Sequence, residues 1–253
     1  MRRLFTKDLR EQLKTYRILI AVIAFALFGL VSPLTMKMLP HMIPVSGTGG
    51  FQLTITGEAS IGDAASQYMS FVGQMAILLV IIFAMGTVAG DKSRRVASML
   101  LTKPISRRDY LLSKFASSGA VIVTANIVGA VAFYGYTVVL FGYFSPAGVP
   151  LSIICTSVFL LMALSLTILF STLVRSSTAA GGLSLIASFL IFVIPGFFEP
   201  VKKYGPGYLV EVSGGILART SGFGSALPSL IVAAILVAAL TSAAVLVFNR
   251  RDL

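Results

Sequence analysis

Long apolar runs alternate with short polar connections along the whole chain. At a rise of about 1.5 Å per residue, roughly twenty helical residues cover the approximately 30 Å hydrocarbon core of a membrane. Six runs approach or exceed that length, and none of them contains Lys, Arg, Asp, Glu or His. The pattern predicts an all-α membrane protein with six transmembrane helices at residues 18–36, 71–89, 119–140, 151–174, 178–194 and 229–248.

The residues before the first run follow a different, amphipathic pattern. Successive positions on a helix lie about 100° apart, and this spacing separates the side chains into two faces. The apolar face carries Phe5, Leu9, Leu13 and Tyr16, and the basic face carries Lys7, Arg10, Lys14 and Arg17. This segregation predicts a helix that lies in the membrane interface, with its basic side chains toward lipid phosphates, and that does not continue straight into the first span. A secretory signal is the alternative, but the following apolar run is long for one and has no small-residue cleavage site.

The connection at residues 91–114 is the most charged part of the chain, with seven of the twenty Lys and Arg residues. Pro104 lacks a backbone donor and disfavours helical geometry in the residue before it, so a helix entering from Asp91 should end just ahead of it. Ser106 and Asp109 form an S-x-x-D capping box that starts a new helix. We therefore expect two helices separated by a sharp break.

The first of these helices carries an apolar stripe of Val96, Met99 and Leu100, spaced i, i+3 and i+4. A charged connection is commonly a solvated loop, and that interpretation is open here. A solvated loop has no need of an apolar stripe, whereas a surface that docks onto another protein does. The stripe therefore favours a docking surface.

Composition places the chain among integral membrane proteins, because 57% of its residues are hydrophobic, 11% are charged and the mean hydropathy is +0.94. The net charge of +11 does not indicate a nucleic-acid partner. A nucleic-acid-binding protein carries basic and aromatic residues on a folded soluble surface, whereas these basic residues lie only between and beside apolar runs.

Sixteen of the twenty Lys and Arg residues fall at the two termini and in the second and fourth connections. By the positive-inside rule these segments are expected in the cytoplasm. An even number of spans, which places both termini on one side, agrees with this assignment. The chain is therefore expected to be a multi-pass protein of the cell membrane with its N- and C-termini in the cytoplasm.

Two longer connections are expected on the outer side. Residues 37–70 contain several prolines and glycines and an alternating apolar patch at 51–55, which predicts an ordered or semi-ordered loop. His41 lies there without carboxylate or thiol neighbours at ligand spacing and is expected at the surface. Residues 195–228 contain an apolar segment at 207–217 that could re-enter the membrane edge.

Catalytic and cofactor-binding motifs are not recognisable in the chain. It lacks a G-x-x-x-x-G-K-[ST] phosphate loop, H-E-x-x-H and G-x-S-x-G, and the single cysteine, Cys155, cannot form an intrachain disulfide. We therefore expect neither an enzyme nor a metal site. Ion-driven secondary carriers usually place an ionisable residue at membrane depth, so its absence from the apolar runs argues against that class.

Polar residues inside the apolar runs include Gln74, Thr124, Asn126, Ser184 and Ser188. Hydrogen bonds between helices are the favoured interpretation, and contact with a substrate is the alternative. Gly86-x-x-x-Gly90 and the small residues 179–182 predict places where two helices approach closely.

The connection at 91–114 and the end of the chain also carry two longer signatures. Asp91, Met99 to Leu101, Pro104 to Arg107 and Lys114 fit E-R-E-x-G-T-L-x-x-L-L-x-x-P-[VI]-S-R with a Lys seven residues later, and residues 248–253 fit F-x-R-R-D-L. Both are typical of the membrane subunit of type-2 ABC transporters, which this chain resembles over nearly its whole length. Ser93 and Arg95-Val96 depart from the loop pattern, which favours partner contacts through arginines.

The resemblance implies a permease that forms a dimeric pore with a second copy or a paralogue. An exporter is expected from the family, although the sequence itself does not decide the direction of transport. Two separate ABC ATPase subunits would drive it, so ATP would bind to them and no cofactor is expected in this chain. The residues implied to couple to the ATPase are Asp91, Arg94, Arg95, Val96, Met99, Leu100, Pro104, Ser106 and Arg107.

Residues 1–253 are accordingly predicted to form a single transmembrane permease domain. A different class of function stays open, namely a polytopic assembly or anchoring protein that transports nothing. A secondary carrier is a further alternative, against which the lack of a buried ionisable residue counts.

Overall fold

The computed structural model describes residues 2–42, 60–93, 106–174 and 176–250, and the regular elements in these ranges are all helical. The α-helices are α1 (Arg2–Lys14), α2 (Arg17–Met42), α3 (Ile61–Phe71), α4 (Ile77–Ser93), α5 (Arg107–Phe141), α6 (Gly148–Leu173), α7 (Ser177–Val193), α8 (Glu199–Lys202), α9 (Tyr208–Leu217) and α10 (Leu227–Arg250). The π-helical segment Val72–Ala76 joins α3 to α4, and 3-10 turns occupy Ile194–Phe197 and Phe223–Ser225.

Six helical segments within the described ranges are long and apolar enough to cross a membrane, which confirms the predicted number of spans. They are Arg17–Met38, Ile61–Gly90, Arg107–Phe141, Gly148–Leu173, Ser177–Phe197 and Leu227–Asn249. The second and third begin well before their apolar runs, because helical structure continues into amphipathic sequence that a hydropathy window does not detect.

The early start of the second span has a local cause at Ser60. The Ser60 hydroxyl accepts a hydrogen bond from the Asp63 amide at 3.2 Å, and the Asp63 carboxylate accepts one from the Ser60 amide at 2.9 Å. This reciprocal capping box satisfies donors that a helix start otherwise leaves unpaired. The segment Val72–Ala76 then adds a π-helical turn before the helix continues. A connection predicted as a loop up to residue 70 therefore ends in helix α3.

Helix α6 lies at the centre of the bundle. In its most apolar window 67% of the residues are buried within the protein, against 11% for α10. It packs against α4, α5, α7, α9 and α10. Phe159, Leu160 and Leu164 are among its fully buried side chains. A helix that is hydrophobic all round is suited to this position, whereas α10 leaves most of its surface to surrounding lipid or to another protein.

The most extensive helix pair is α2 against α5, and glycines set its closest approach. A side chain at Gly29 would collide with the backbone of Gly129, and one at Gly129 would approach the carbonyl oxygen of Phe25 to 2.8 Å. Small residues allow two backbones to approach within membrane bundles, where close packing replaces the hydrophobic effect as the driving force. The contact depends on one glycine from each helix, far apart in the chain.

The helices alternate between two ends of the bundle. One end, called the basic end here, contains α1, the C-termini of α4 and α10, and the N-termini of α5 and α7. Arg107 donates a hydrogen bond to the carbonyl of Asn249 at 3.2 Å, which places α5 and α10 together there. At the opposite end, Lys37 donates to the carbonyl of Leu140 at 2.8 Å. The segments predicted to share one side of a membrane therefore meet at one end of the molecule.

The apolar segment predicted at 207–217 forms helix α9, which has 10 residues and is too short to cross a membrane. Leu209, Val212 and Ile216 are buried, and the helix packs against α3 and α6. It belongs to the end of the bundle opposite α1. Re-entry into a membrane edge stays a prediction, as does the organisation of residues 1–253 as one domain. The apolar patch at 51–55 and the His41 side chain lie outside what the structure describes.

Candidate functional site

Most of the predicted docking segment lies outside the described residues. These positions are Arg94, Arg95, Val96, Met99, Leu100 and Pro104. The backbone of α4 continues through Asp91 to Ser93, but the Asp91 side chain is not among those described. The docking stripe therefore stays a prediction, and the structure describes the two helices that enter and leave it.

The helix that leaves the segment begins where the sequence predicts. Ser106 has an extended backbone, and its hydroxyl accepts a hydrogen bond from the Asp109 amide at 3.0 Å. This is the N-cap expected of the S-x-x-D pattern. The helix continues without a break from Arg107 to Phe141, so the predicted short helix and the third span are one rigid element.

The start of α5 is also tied to the end of α10. Besides the bond from Arg107 to Asn249, the ring of Tyr110 stacks on that of Phe248 with centroids 5.7 Å apart. Tyr110 and Phe248 are both buried. A displacement of the connection at its Ser106 end would therefore act on two spans, because α5 and α10 are joined there by a polar and an aromatic contact.

Helix α1 is separated from the first span by a sharp break. It ends at Lys14, and Tyr16 adopts a left-handed backbone with φ of 57° before α2 begins at Arg17. A residue with a β-carbon rarely adopts this conformation, which ends a right-handed helix. The expected change of direction between the N-terminal helix and the first span is present.

An ion pair that the sequence analysis missed joins α1 to α5. The Asp8 carboxylate lies 3.4 Å from the Lys114 ammonium and accepts a hydrogen bond from the Ser113 hydroxyl at 2.7 Å. Asp8 is only 6% exposed. A buried carboxylate is tolerated when it is paired and hydrogen-bonded, as here. The sequence contains one indication of this ion pair, because Asp8 is an acidic residue within a strongly basic amphipathic segment.

The same edge of α1 makes a second polar contact. The Gln12 amide donates to the hydroxyls of Ser117 at 3.3 Å and Ser118 at 3.4 Å. Asp8 and Gln12 are four residues apart and therefore share one helix edge. Part of the surface by which α1 meets the bundle is therefore polar, whereas the sequence pattern predicted only an apolar and a basic face.

The residues of the two predicted α1 faces are placed as follows. Phe5 and Leu9 are half-buried, while Leu13 is 55% exposed. The basic residues Lys7, Arg10 and Lys14 are exposed. The bundle covers only part of the apolar face, and the basic face is open.

A polar cavity of about 220 Å³ opens between α1, α4, α5 and the start of α7. Its lining residues are Asp8, Glu11, Gln12, Thr15, Arg17, Gly86, Thr87, Gly90, Lys114, Ser118 and Ser177. Gly86 and Gly90 form part of the α4 wall and leave space that larger side chains would fill. This is the predicted G-x-x-x-G pair, which faces the Ser177 hydroxyl of α7.

Helices α4, α6 and α7 are in close contact beside this cavity. The Ser171 hydroxyl donates to the Met85 carbonyl at 3.0 Å and accepts from the Ala89 amide at 2.8 Å. A β-carbon at Gly181 would lie 2.8 Å from the Met85 sulfur. Close helix contact is therefore present at Gly181, as expected for the small residues 179–182, whereas a β-carbon at Gly86 or Gly90 would meet only ordinary contact, 3.6 Å and 3.7 Å from the Ser177 hydroxyl.

The mid-span polar residues other than Gln74 fall into three groups. Asn126 donates to the hydroxyls of Thr156 at 2.9 Å and Ser157 at 3.1 Å, which confirms an interhelical bond between α5 and α6. Thr124 and Ser184 bond to carbonyls of their own helices. Within the described part of the chain, the buried Ser188 hydroxyl has no hydrogen-bond partner.

Gln74 instead lines a groove of about 420 Å³ at the opposite end, between α3, the π-helical segment, α7 and α9. The rings of Phe159 and Phe192 lie at its apolar side, 4.6 Å apart. Glu211 lies at its polar side and pairs with Lys202 at 3.1 Å. Across the described residues, three or more His, Cys, Asp or Glu side chains do not converge on a point where a metal ion could bind.

These features define a multi-pass helical membrane protein with a short helix at each end of its six-span bundle. The family described as "ABC-2 family transporter protein" matches residues 2–204, and the chain belongs to this family. It is also 24% identical over 201 residues to "Uncharacterized transmembrane protein YxlG" of Bacillus subtilis (strain 168), an alignment that covers 77% of this chain and 78% of that protein. The resemblance to a type-2 ABC permease is thereby confirmed.

Proposed function

We propose that this chain is the permease subunit of an ATP-driven exporter and that a separate ATPase supplies the energy. The observation that carries the proposal is the family match over residues 2–204, which includes the whole connection between α4 and α5. ATP would bind and be hydrolysed on two partner ATPase subunits, and this chain would contribute no catalytic residue. A second copy or a paralogue would complete the translocation path.

The basic end is the surface on which the ATPase would act, and in this proposal it lies in the cytoplasm. The segment between α4 and α5 joins two full spans directly. Its far end is capped by Ser106, whose helix also contacts α10 through Arg107. Helix α1 is attached to the same helix through Asp8 and Lys114. A displacement of this segment would therefore move α5 together with α1 and α10.

The apolar stripe of Val96, Met99 and Leu100 is the proposed docking surface for the ATPase. Burying such side chains contributes roughly 1.5–3 kcal/mol each before the losses that accompany association. Arg94 and Arg95 would add charge-assisted hydrogen bonds to acidic residues of the ATPase and make assembly sensitive to salt.

The test is to replace Met99 by Asp and purify the full chain together with its co-expressed ATPase. We expect Met99→Asp to reduce the bound ATPase by tenfold or more, because a charge placed in an apolar contact loses its hydration. Lys203→Asp is the control, since Lys203 is exposed at the opposite end. An unchanged amount of bound ATPase, in a correctly inserted variant, would contradict the docking role and favour an anchoring protein.

A further inference from the structure

The cavity at the basic end has a lining unlike that of an ordinary gap between membrane helices. Among the described residues that line it, every side chain is polar or charged, and the rest are glycines. Its volume of about 220 Å³ is several times the roughly 30 Å³ that one water molecule occupies in the liquid. The space is therefore suited to a polar chemical group larger than a single ion.

The charges around the cavity are of both signs. Asp8 and Lys114 form a pair with each other. Arg17 and Glu11 also line the cavity, and both are exposed. Neither of these two side chains forms a hydrogen bond or an ion pair with another described residue. A lining that offers one cationic and one anionic group matches a zwitterion better than a simple anion.

The chemistry of the Arg17 and Glu11 side chains narrows the class of ligand further. A guanidinium presents paired donors that match the oxygens of a phosphate. A carboxylate with nearby hydroxyls, such as Glu11 with Thr15 and Ser118, accepts hydrogen bonds from a primary ammonium. A quaternary ammonium has no such hydrogens and is usually held by aromatic rings, and the described residues lining this cavity include none.

The position of the cavity indicates where the ligand comes from. A narrow apolar recess adjoins it, shares Gln12, Arg17 and Ser118 with it, and is otherwise lined by residues such as Val80 and Phe83. Arg17 is also the first residue of α2, where the polar N-terminal segment meets the first span. The recess has a volume of only about 20 Å³ and is too small for an acyl chain. A polar chamber with an apolar edge at this boundary fits an amphiphile whose headgroup occupies the chamber and whose chains remain in the membrane.

From this geometry we propose that the cavity binds the headgroup of a phosphoethanolamine lipid, with the phosphate on Arg17 and the ammonium on Glu11. The bound lipid would lie between α1 and the bundle. It would join the N-terminal helix to α4 and α7, with which α1 otherwise makes few direct contacts. This proposal concerns lipid recognition and does not depend on transport or on an ATPase.

The test is to measure binding of short-chain lipids to the purified full chain in a mild detergent, by native mass spectrometry and titration calorimetry. The probes are dihexanoyl phosphatidylethanolamine, dihexanoyl phosphatidylcholine and free phosphoethanolamine. We expect the ethanolamine lipid to bind about tenfold more tightly than the choline lipid. Equal affinities for these two lipids in the wild-type chain would overturn the proposal.

Substitutions at the exposed residues Glu11 and Arg17 test which part of the headgroup each residue contacts. Glu11→Gln should abolish the preference for ethanolamine over choline, and Arg17→Gln should weaken both lipids by about tenfold. Arg10→Gln, on the exposed basic face outside the cavity, should change neither. A preference that survives Glu11→Gln would refute the ammonium contact. Free phosphoethanolamine that binds as tightly as the lipid would refute a lipid as the source of the ligand.

Discussion

The short helices at the two ends of the bundle, α1 and α9, are attached by different kinds of contact. At the basic end, α1 meets α5 through the buried Asp8–Lys114 pair and the Gln12 amide, beside a polar cavity. At the opposite end, α9 packs by burying apolar residues such as Leu209 and Val212 against α3 and α6.

This difference has a mechanical consequence. Hydrogen bonds and ion pairs beside a polar cavity can be exchanged for contacts with water or a ligand, because both offer replacement partners. Apolar packing depends on shape alone, and a shift of α9 would open a void without replacement contacts. We therefore expect the basic end to tolerate rearrangement and the α9 end to resist it, which agrees with the proposed action of an ATPase at the basic end.

The largest effect is expected at the ion pair. Asp8→Ala removes the buried carboxylate that lies against the Lys114 ammonium, and breaking a buried pair in this way destabilises by about 3–5 kcal/mol. The measurement is unfolding of the purified chain in a dodecyl sulfate titration, with the exposed Lys7→Ala as the control. Replacing both partners, as Asp8→Leu with Lys114→Met, should recover most of the lost stability. If Asp8→Ala unfolds like the wild type, polar contacts do not hold the basic end.

The opposite end gives the matching apolar test. Leu209 is fully buried in α9, so Leu209→Ala should destabilise by about 2–5 kcal/mol through the cavity it leaves. Leu227→Ala is a suitable control, because Leu227 is 42% exposed. The same detergent titration applies. A loss below about 1 kcal/mol would mean that α9 is loosely attached and that the contrast between the ends is wrong.

A smaller effect is expected at the cap of α5. Ser106→Ala removes the acceptor for the Asp109 amide and should cost about 1 kcal/mol of helix stability. Ser106→Asp should retain most of the helix stability, since an aspartate caps equally well and its negative charge is favourable at the positive end of the helix. Hydrogen exchange of the first turn of α5 reports the change. Equal exchange in the alanine and aspartate variants would show that the cap contributes little.

The smallest effect is expected at the ion pair of the opposite end. The side chains of Lys202 and Glu211 are 34% and 59% exposed, so Glu211→Gln should change stability by roughly 0–1 kcal/mol and the difference should vanish at high salt. Comparing this variant with Asp8→Ala in the same titration tests whether burial decides the value of an ion pair. A larger loss from Glu211→Gln than from Asp8→Ala would reverse the comparison.

Much of the fold was predictable because the signals are local. The apolar length of each run predicted the six spans, and the S-x-x-D pattern predicted the start of α5 at Ser106. The early start of the second span was missed, since the Ser60–Asp63 capping box lies outside the apolar run that defined it. The π-helical segment Val72–Ala76 was missed as well, because its sequence does not differ from that of ordinary helix.

The candidate site was predictable only in part. The motif of the charged connection predicted docking onto a partner, which stays a prediction because most of that segment lies outside the described residues, and the break after Lys14 was expected from the change of pattern there. Asp8 was overlooked, because an acidic residue on an exposed-looking helix usually faces water. Its burial depends on Ser113 and Lys114, which lie 105 and more positions further along the chain. Residues that line one cavity from several helices share no pattern in sequence.

By itself the sequence determined the class of the protein, the number of its spans and the concentration of basic residues at one end. These properties depend on how each segment interacts with a bilayer, and each segment carries that information alone. Only the tertiary structure decided that Gly29 meets Gly129, that α9 packs against α3 and α6, and that Arg17 and Glu11 share a cavity. Those contacts depend on which helix faces which, and inside a membrane that choice is made by close packing between segments.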